Sequence, residues 1–231
     1  MPLTLEHRRV GDITIVTCAG RIVEGSESIA LQQMLDDLFI YGPYLVLHLG
    51  AVDFVDSSGL GLLIRNISRA KRAHGNVRLC GLSARLIEAL EVTHLRPICD
   101  AHETEDEAIA AFYERTASGG GVTPLHADIL CVTASSDVQA YVRGLLTQAG
   151  YGVQTAGNLP DGLILLQVSH PKLVIVDAAL RQTRETRTAE KFNGLADKLR
   201  VLELPEDFAR RDPGQAGQWL LDQVRALCIT T

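Results

Sequence analysis

The sequence predicts an α/β protein built as two halves, and three observations predict it. Short apolar runs of the kind that form covered strands (residues 45–49, 129–132 and 173–176) alternate with stretches whose apolar residues recur every three or four positions, the period of a helix packed on one side. A stretch rich in small residues, Thr116-Ala117-Ser118-Gly119-Gly120-Gly121-Val122-Thr123-Pro124, interrupts this alternation midway and has the composition of a flexible tether. Length permits it: 231 residues suit one large domain or two ordinary ones, and 46% apolar with 22% charged is ample for packed cores. The expected division is a first domain over residues 1–115, a Gly-rich linker over 116–126 and a second domain over 127–231.

In the first half, strands over residues 3–10 and 13–19 flank Gly11-Asp12, a hairpin signal. Gly20-Arg21-Ile22-Val23-Glu24-Gly25 reads as a loop leaving the second strand. Ile29, Leu31, Leu35 and Leu38 mark a helix from Ser26 to Phe39, stopped before Gly42-Pro43. A buried strand over 44–49 then turns a corner into a second helix, whose Leu60, Leu63, Ile64 and Ile67 fall at i, i+3, i+4, i+7. Arg69, Lys71 and Arg72 in its last turns suit the negative end of the helix dipole. A strand over 77–80, a helix capped by Ser83, a short strand at Ile98-Cys99 and an acidic helix over 103–115 complete the half.

The corner carries most of the chemistry. Asp56-Ser57-Ser58-Gly59 supplies short oxygen-bearing side chains where a helix start needs a cap for its orphan amides. Gly59 and Gly61 weaken the first turn by roughly 1 kcal/mol each against alanine, so either close helix–sheet packing or the close approach of another surface must justify them.

In the second half, a strand over 129–132, a helix marked by Val138, Val142, Leu145 and Leu146, a strand over 151–155, a helix opening at Asn158-Leu159-Pro160 and a strand over 173–176 ending at Asp177 form a βαβαβ series, which implies a parallel sheet. Residues 181–199 are polar and only weakly helical in pattern. A fourth strand over 201–204 and a closing helix over 217–227, with Trp219, Leu220, Val224 and Leu227 inward, end the chain.

Charge narrows the functional classes. Residues 1–117 carry 11 Lys and Arg against 16 Asp and Glu, and residues 118–231 carry 11 against 12. An acidic first half argues against nucleic acid, whose phosphates demand a basic face. No apolar run approaches the ~18 residues of a membrane span, and the first residues lack a secretory pattern, so a cytoplasmic location is expected. Cys18, Cys80, Cys99, Cys131 and Cys228 are scattered without a CxxC pair and read as buried apolar residues. The seven histidines show no ligand spacing, no phosphate loop or nucleophile elbow is present, and neither metal, cofactor nor enzymatic activity is expected.

On these residues the first half resembles a STAS domain, the module of anti-sigma-factor antagonists. The resemblance rests on Gly20-Arg21-Ile22, on Val52-Asp53-Phe54-Val55-Asp56-Ser57-Ser58-Gly59-Leu60-Gly61, and on Ser83-Ala84-Arg85 before the next helix. It implies a mixed β-sheet with helices on one face. It also implies that Ser57, the serine directly after the aspartate, is phosphorylated by a serine kinase that doubles as the anti-sigma factor. Asp56, Ser58, Gly59, Leu60 and Gly61, with Arg21 and Glu24 in the neighbouring loop, are then the expected partner-binding residues. Val23 and Glu24 stand where the family often carries an aspartate. For Ser57 the competing reading is a plain N-cap.

Residues 127–208 resemble a receiver domain of two-component systems, a shortened flavodoxin-like parallel sheet, with Asp177 at the acceptor position. The acidic pair that would hold a cation is replaced by Thr133 and Ala134, and Leu204 stands where a lysine would precede Pro205. A carboxylate without such cations is a poor phosphoryl acceptor, so a pseudo-receiver is expected. Only 27 residues separate Asp177 from Pro205, room for one strand–helix unit fewer than usual. The function expected is an anti-sigma-factor antagonist in a partner-switching system that binds a serine kinase when Ser57 is unmodified, with the second domain a docking or homo-oligomer surface. The alternative is a STAS scaffold subunit of a stress-signalling complex or of a lipid or anion transporter.

Overall fold

The structure, a computed structural model, describes residues 2–114, 125, 127–182 and 186–229. The expected linker, apart from Leu125, lies outside the described residues. The chain divides into two compact units, Met1–Pro124 and Leu125–Thr231.

The first unit is a five-stranded mixed sheet in the order β1-β2-β3-β4-β5. β1 (Thr4–Val10) and β2 (Ile13–Ile22) form the expected antiparallel hairpin, whose turn uses Gly11 at φ 62°. β2, β3 (Tyr44–Val55), β4 (Asn76–Cys80) and β5 (Asp100–His102) run parallel, joined through α1 (Ser26–Leu38), α2 (Ser57–Arg72) and α3 (Ala84–Val92). Alternate residues of the central strands, Val16, Cys18, Leu45, Leu47, Leu49, Val77 and Leu79, pack with Leu31, Leu35, Leu60, Leu63, Ile67, Leu86 and Leu90 of those three helices into one core.

Four expectations are corrected here. Gly20-Arg21-Ile22 is strand and not loop, because β2 stays paired with β3 as far as Ile22↔Val55. The register shifts twice, between Thr17 and Ala19 and between Gly20 and Arg21, so β3 carries extra residues and loses its period of two. That loss hid the second half of β3, which runs to Val55 and not Leu49. The last strand is Asp100–His102; Ile98 and Cys99 belong to the turn before it. Helices also lie on both faces. α4 (Glu105–Ala110) packs opposite to α1–α3: Arg78, between the inward Val77 and Leu79, donates toward the Ala108 carbonyl (3.4 Å) and lies 4.0 Å from the Phe112 ring, which meets Tyr44 edge-on.

The second unit is a four-stranded, all-parallel sheet in the order β7-β6-β8-β9, formed by β6 (Ile129–Val132), β7 (Val153–Ala156), β8 (Leu173–Asp177) and β9 (Arg200–Leu204). α5 (Ser136–Gln148) and α6 (Leu159–Ser169) make the crossovers, and α9 (Pro213–Ile229) closes the chain. One βα step fills the space between β8 and β9. Within the stretch expected to be weakly helical are the end of α7 (Ala178–Gln182) and α8 (Arg187–Ala196), the latter anchored by the fully buried Phe192.

The side chain of Arg78 is 5% exposed and its charge is met by Asp100, at 2.7 Å from Nε. Asp100 also pairs with His102 Nε2 (3.0 Å) and accepts from Asn76 (3.1 Å). The His102 ring nitrogen beside it first, and the Arg78 bond and charge next, hold the Asp100 carboxyl well below the usual carboxylate range. A depressed carboxylate stabilises the fold above its unfolded pKa of about 3.9, and that contribution is lost as pH falls through the folded value. Asp100→Asn is therefore expected to lose about 2 kcal/mol at neutral pH, less than a fully buried pair because Asp100 is partly exposed. Urea titrations from pH 7 downward check this: the variant's stability should fall less steeply than wild type below about pH 4.

Candidate functional site

At the carboxyl end of β3 the chain turns directly from Val55 into α2, and a single side chain shapes the turn. Asp56 is the N-cap, extended at φ −86° and ψ −179°. Its Oδ1 accepts from the Gly59 amide at 2.8 Å, and its Oδ2 accepts from the Glu24 amide, also at 2.8 Å. The Asp56 amide itself donates to the Ile22 carbonyl (3.2 Å). One carboxylate thus ties the segment leaving β2 to the first turn of α2. The amide of Glu24, followed by that of Gly59, lowers the Asp56 pKa, with a smaller attraction from Arg21. The group is a fixed negative charge at neutral pH.

Because Asp56 takes the cap, Ser57 does not: it is the first residue of α2 and it is exposed. The plain-cap reading of Ser57 is corrected on this geometry. Ser58 is half-buried.

The two glycines have different causes. A Cβ on Gly59 would collide with the Ile22 carbonyl oxygen and stand 2.8 Å from Val55 Cγ1, so Gly59 lets α2 sit against the sheet. A Cβ on Gly61 would meet only the Arg65 guanidinium, at 3.3 Å, so its face is open. Gly59 and Leu60 are buried in the unit's own core. Their expected place in a partner contact is corrected accordingly: they shape the corner and do not present themselves.

Arg21 and Glu24 are both exposed beside the corner, Glu24 linked to it through its backbone. The Arg21 guanidinium lies 6.0 Å from the ring of Phe54, which is 50% exposed. Phe54 is a surface residue that the pattern of residues 44–49 does not announce, because it lies on the part of β3 beyond Leu49. Ile29 was expected to be inward on α1 but is 58% exposed, at the rim of a shallow groove with Gln32, Leu62 and Arg65. The corner therefore shows Ser57, Gly61, Arg21 and Glu24 together with two apolar side chains.

The STAS domain family model matches residues 4–108. The anti-sigma-B factor antagonist of Bacillus subtilis is 34% identical over 85 residues, which cover 37% of this chain and 77% of that protein. The chain belongs to the STAS family. Protein Rrf1 of Nitratidesulfovibrio vulgaris is 41% identical over 56 residues, so the chain spans 41% of Rrf1's length and 24% of its own is matched. Among solved structures, an anti-sigma factor antagonist from Mycobacterium paratuberculosis overlays with a TM-score of 0.43 at 23% identity, covering 47% of this chain and 92% of that one. SpoIIAA of Bacillus in its phosphorylated form gives 0.40 at 17% identity, covering 47% and 98%.

Beyond the STAS domain, the second unit places Asp177 at the end of β8. The hydroxyl of the fully buried Thr133 donates to its Oδ2 at 2.6 Å, and the same oxygen of Thr133 accepts from the Ser135 amide. Ala134 points into solvent, Leu204 is buried and Pro205 is half-buried. Among the described residues no group of three His, Cys, Asp or Glu side chains is placed to hold a metal ion, and no helix is long and apolar enough to cross a membrane. Burial pushes the thiols of Cys18, Cys80 and Cys131 up to about 12, so they are poor nucleophiles.

The division of labour at the corner is measurable by denaturant unfolding. Asp56→Ala should lose about 1–2 kcal/mol, whereas Ser57→Ala should stay within about 0.5 kcal/mol of wild type. Gly59→Ala should lose about 2–3 kcal/mol through overpacking, and Gly61→Ala should gain a few tenths of a kcal/mol through helix propensity.

Proposed function

We propose that this STAS protein is an anti-sigma-factor antagonist in a partner-switching system. It binds a serine kinase that is itself the anti-sigma factor while Ser57 is unmodified, and releases it once Ser57 is phosphorylated. The observation that carries the proposal is the exposed Ser57 hydroxyl beside an Asp56 carboxylate that is committed to the cap and ionised. The names of its relatives, anti-sigma factor antagonists, support the class of partner.

The physics of release follows from the corner. Phosphate adds about −1.5 to −2 charges and three acceptor oxygens. At the first residue of α2 the helix dipole and the terminal amides tolerate that charge, so the domain keeps its fold. A partner seated on Gly61 and Phe54 meets the same charge next to Asp56, on a half of the chain that already carries an excess of five acidic residues. Like charges brought together in an interface cost several kcal/mol, enough to empty it. In this reading Arg21, Glu24 and Ser58 line the contact and the protein performs no chemistry of its own. It acts in the cytoplasm, and its second unit serves as a further docking or homo-oligomer surface.

Pull-downs from the native cytoplasm test this. Wild-type and S57A baits are expected to retain a serine kinase and S57D to lose it, with mass spectrometry locating phosphate on Ser57 of the wild-type chain. An S57D bait that retains the kinase as well as wild type overturns the proposal.

A further inference from the structure

The second unit holds a crevice of about 340 Å³ that the function above leaves unused. It opens at the carboxyl ends of β6, β8 and β9. The strand order β7-β6-β8-β9 reverses direction between β6 and β8, and open parallel sheets take their ligands outside the strand ends at such a reversal. Thr133 at the end of β6 and Asp177 at the end of β8 stand on the two sides of that point.

The lining is mostly apolar, including Val138, Leu204, Pro205 and Phe208, but among the described residues it carries two carboxylates, Asp177 and Glu206, and no lysine or arginine. Asp177 is pre-oriented. Thr133 fixes its Oδ2, while its Oδ1 has no hydrogen-bond partner among the described residues. The nearby Arg181 is already engaged by Asp197 and by Glu203, at 2.7 Å from the latter. The start of α5, which would favour an anion, is occupied by its own cap: Ser135 Oγ accepts from the Val138 amide at 3.3 Å. A second cavity of about 260 Å³ adjoins the first across Ser135, Val138 and Phe208; it adds Tyr141 and Ala216 to the wall, together with Asp137 and with Arg211, whose guanidinium is paired with Asp207.

We infer that this crevice binds a small organic cation, with an ammonium or guanidinium head on the Asp177 carboxylate and an apolar or aromatic body along Val138 and Phe208. A pocket of this volume, mainly apolar with a few convergent polar groups, has the make-up of a small-molecule site. The lining separates this ligand from a divalent metal ion. Mg²⁺ demands about six oxygen ligands and surrenders its water reluctantly, and walls of valine, leucine and phenylalanine supply neither oxygens nor room for a hydration shell.

Calorimetric titration of the full chain with benzylamine tests the inference, with benzyl alcohol as the uncharged match. Saturable binding of benzylamine in about the millimolar range is expected for so small a ligand. The alcohol should bind at least about tenfold more weakly, and Asp177→Asn should weaken benzylamine by about the same factor. Glu206→Gln, on an exposed side chain that the fold does not use, should weaken it by a smaller factor and supplies the test should the Asp177 variant fold poorly. No benzylamine binding, equal binding of the alcohol, benzylamine affinity unchanged in both variants, or Mg²⁺ binding in its place would each overturn the inference.

Discussion

Everything proposed for the first unit depends on the two hydrogen bonds that Asp56 accepts. By holding the Glu24 amide with one oxygen and the Gly59 amide with the other, the carboxylate locks the exit of β2 to the entry of α2. Two consequences follow from the same contact. The corner becomes rigid, so the groups around it are presented in one arrangement. Ser57 is also relieved of structural duty, so its hydroxyl can be changed without removing a support of the fold. A regulatory residue needs this separation, because a serine that both capped the helix and received a phosphate would couple signalling to unfolding.

Gly59 belongs to that constraint. The close approach of α2 to Ile22 and Val55 leaves no space for a Cβ, and this closeness brings the Asp56 carboxylate within reach of both amides. Gly61, two residues farther along, faces the Arg65 guanidinium and otherwise open surface. The two glycines of one motif thus answer to two demands, one inside the domain and one outside it.

Much of the fold was readable in the sequence, because α2, α5 and α6 keep a hydrophobic period behind capping side chains and β4, β6, β8 and β9 are short runs rich in covered apolar residues. What was not readable has identifiable causes. β3 carries extra residues opposite β2, and the broken alternation disguised Val52–Val55 as part of the corner, so the pairing of Phe54 with Arg21 on neighbouring strands was not readable. Periodicity placed Ile29 inward, but the apolar face of α1 ends at Leu31 and leaves it at a groove rim. α4 packs on the second face of the sheet through Arg78, a buried charge that no apolar pattern announces. At the site itself the motif located the corner, yet Asp56, Ser57 and Ser58 are equally good caps by residue type. Only the backbone decides which of the three holds the helix.

The second unit uses an aspartate differently. Asp177, like Asp56, is aimed by hydrogen bonding, but by a single hydroxyl and into a cavity whose other charged group is also acidic. The first carboxylate is consumed by the fold; the second keeps one oxygen that has no hydrogen-bond partner among the described residues.

The central claim, that charge written on Ser57 empties the interface while leaving the fold alone, is tested most directly by titrating the cognate kinase into the chain before and after stoichiometric phosphorylation of Ser57. Unfolding is followed on the same two samples. The account predicts a loss of affinity of at least about a hundredfold with the unfolding midpoint unchanged. Equal affinities, or a loss of affinity that appears only together with a loss of stability, would contradict it.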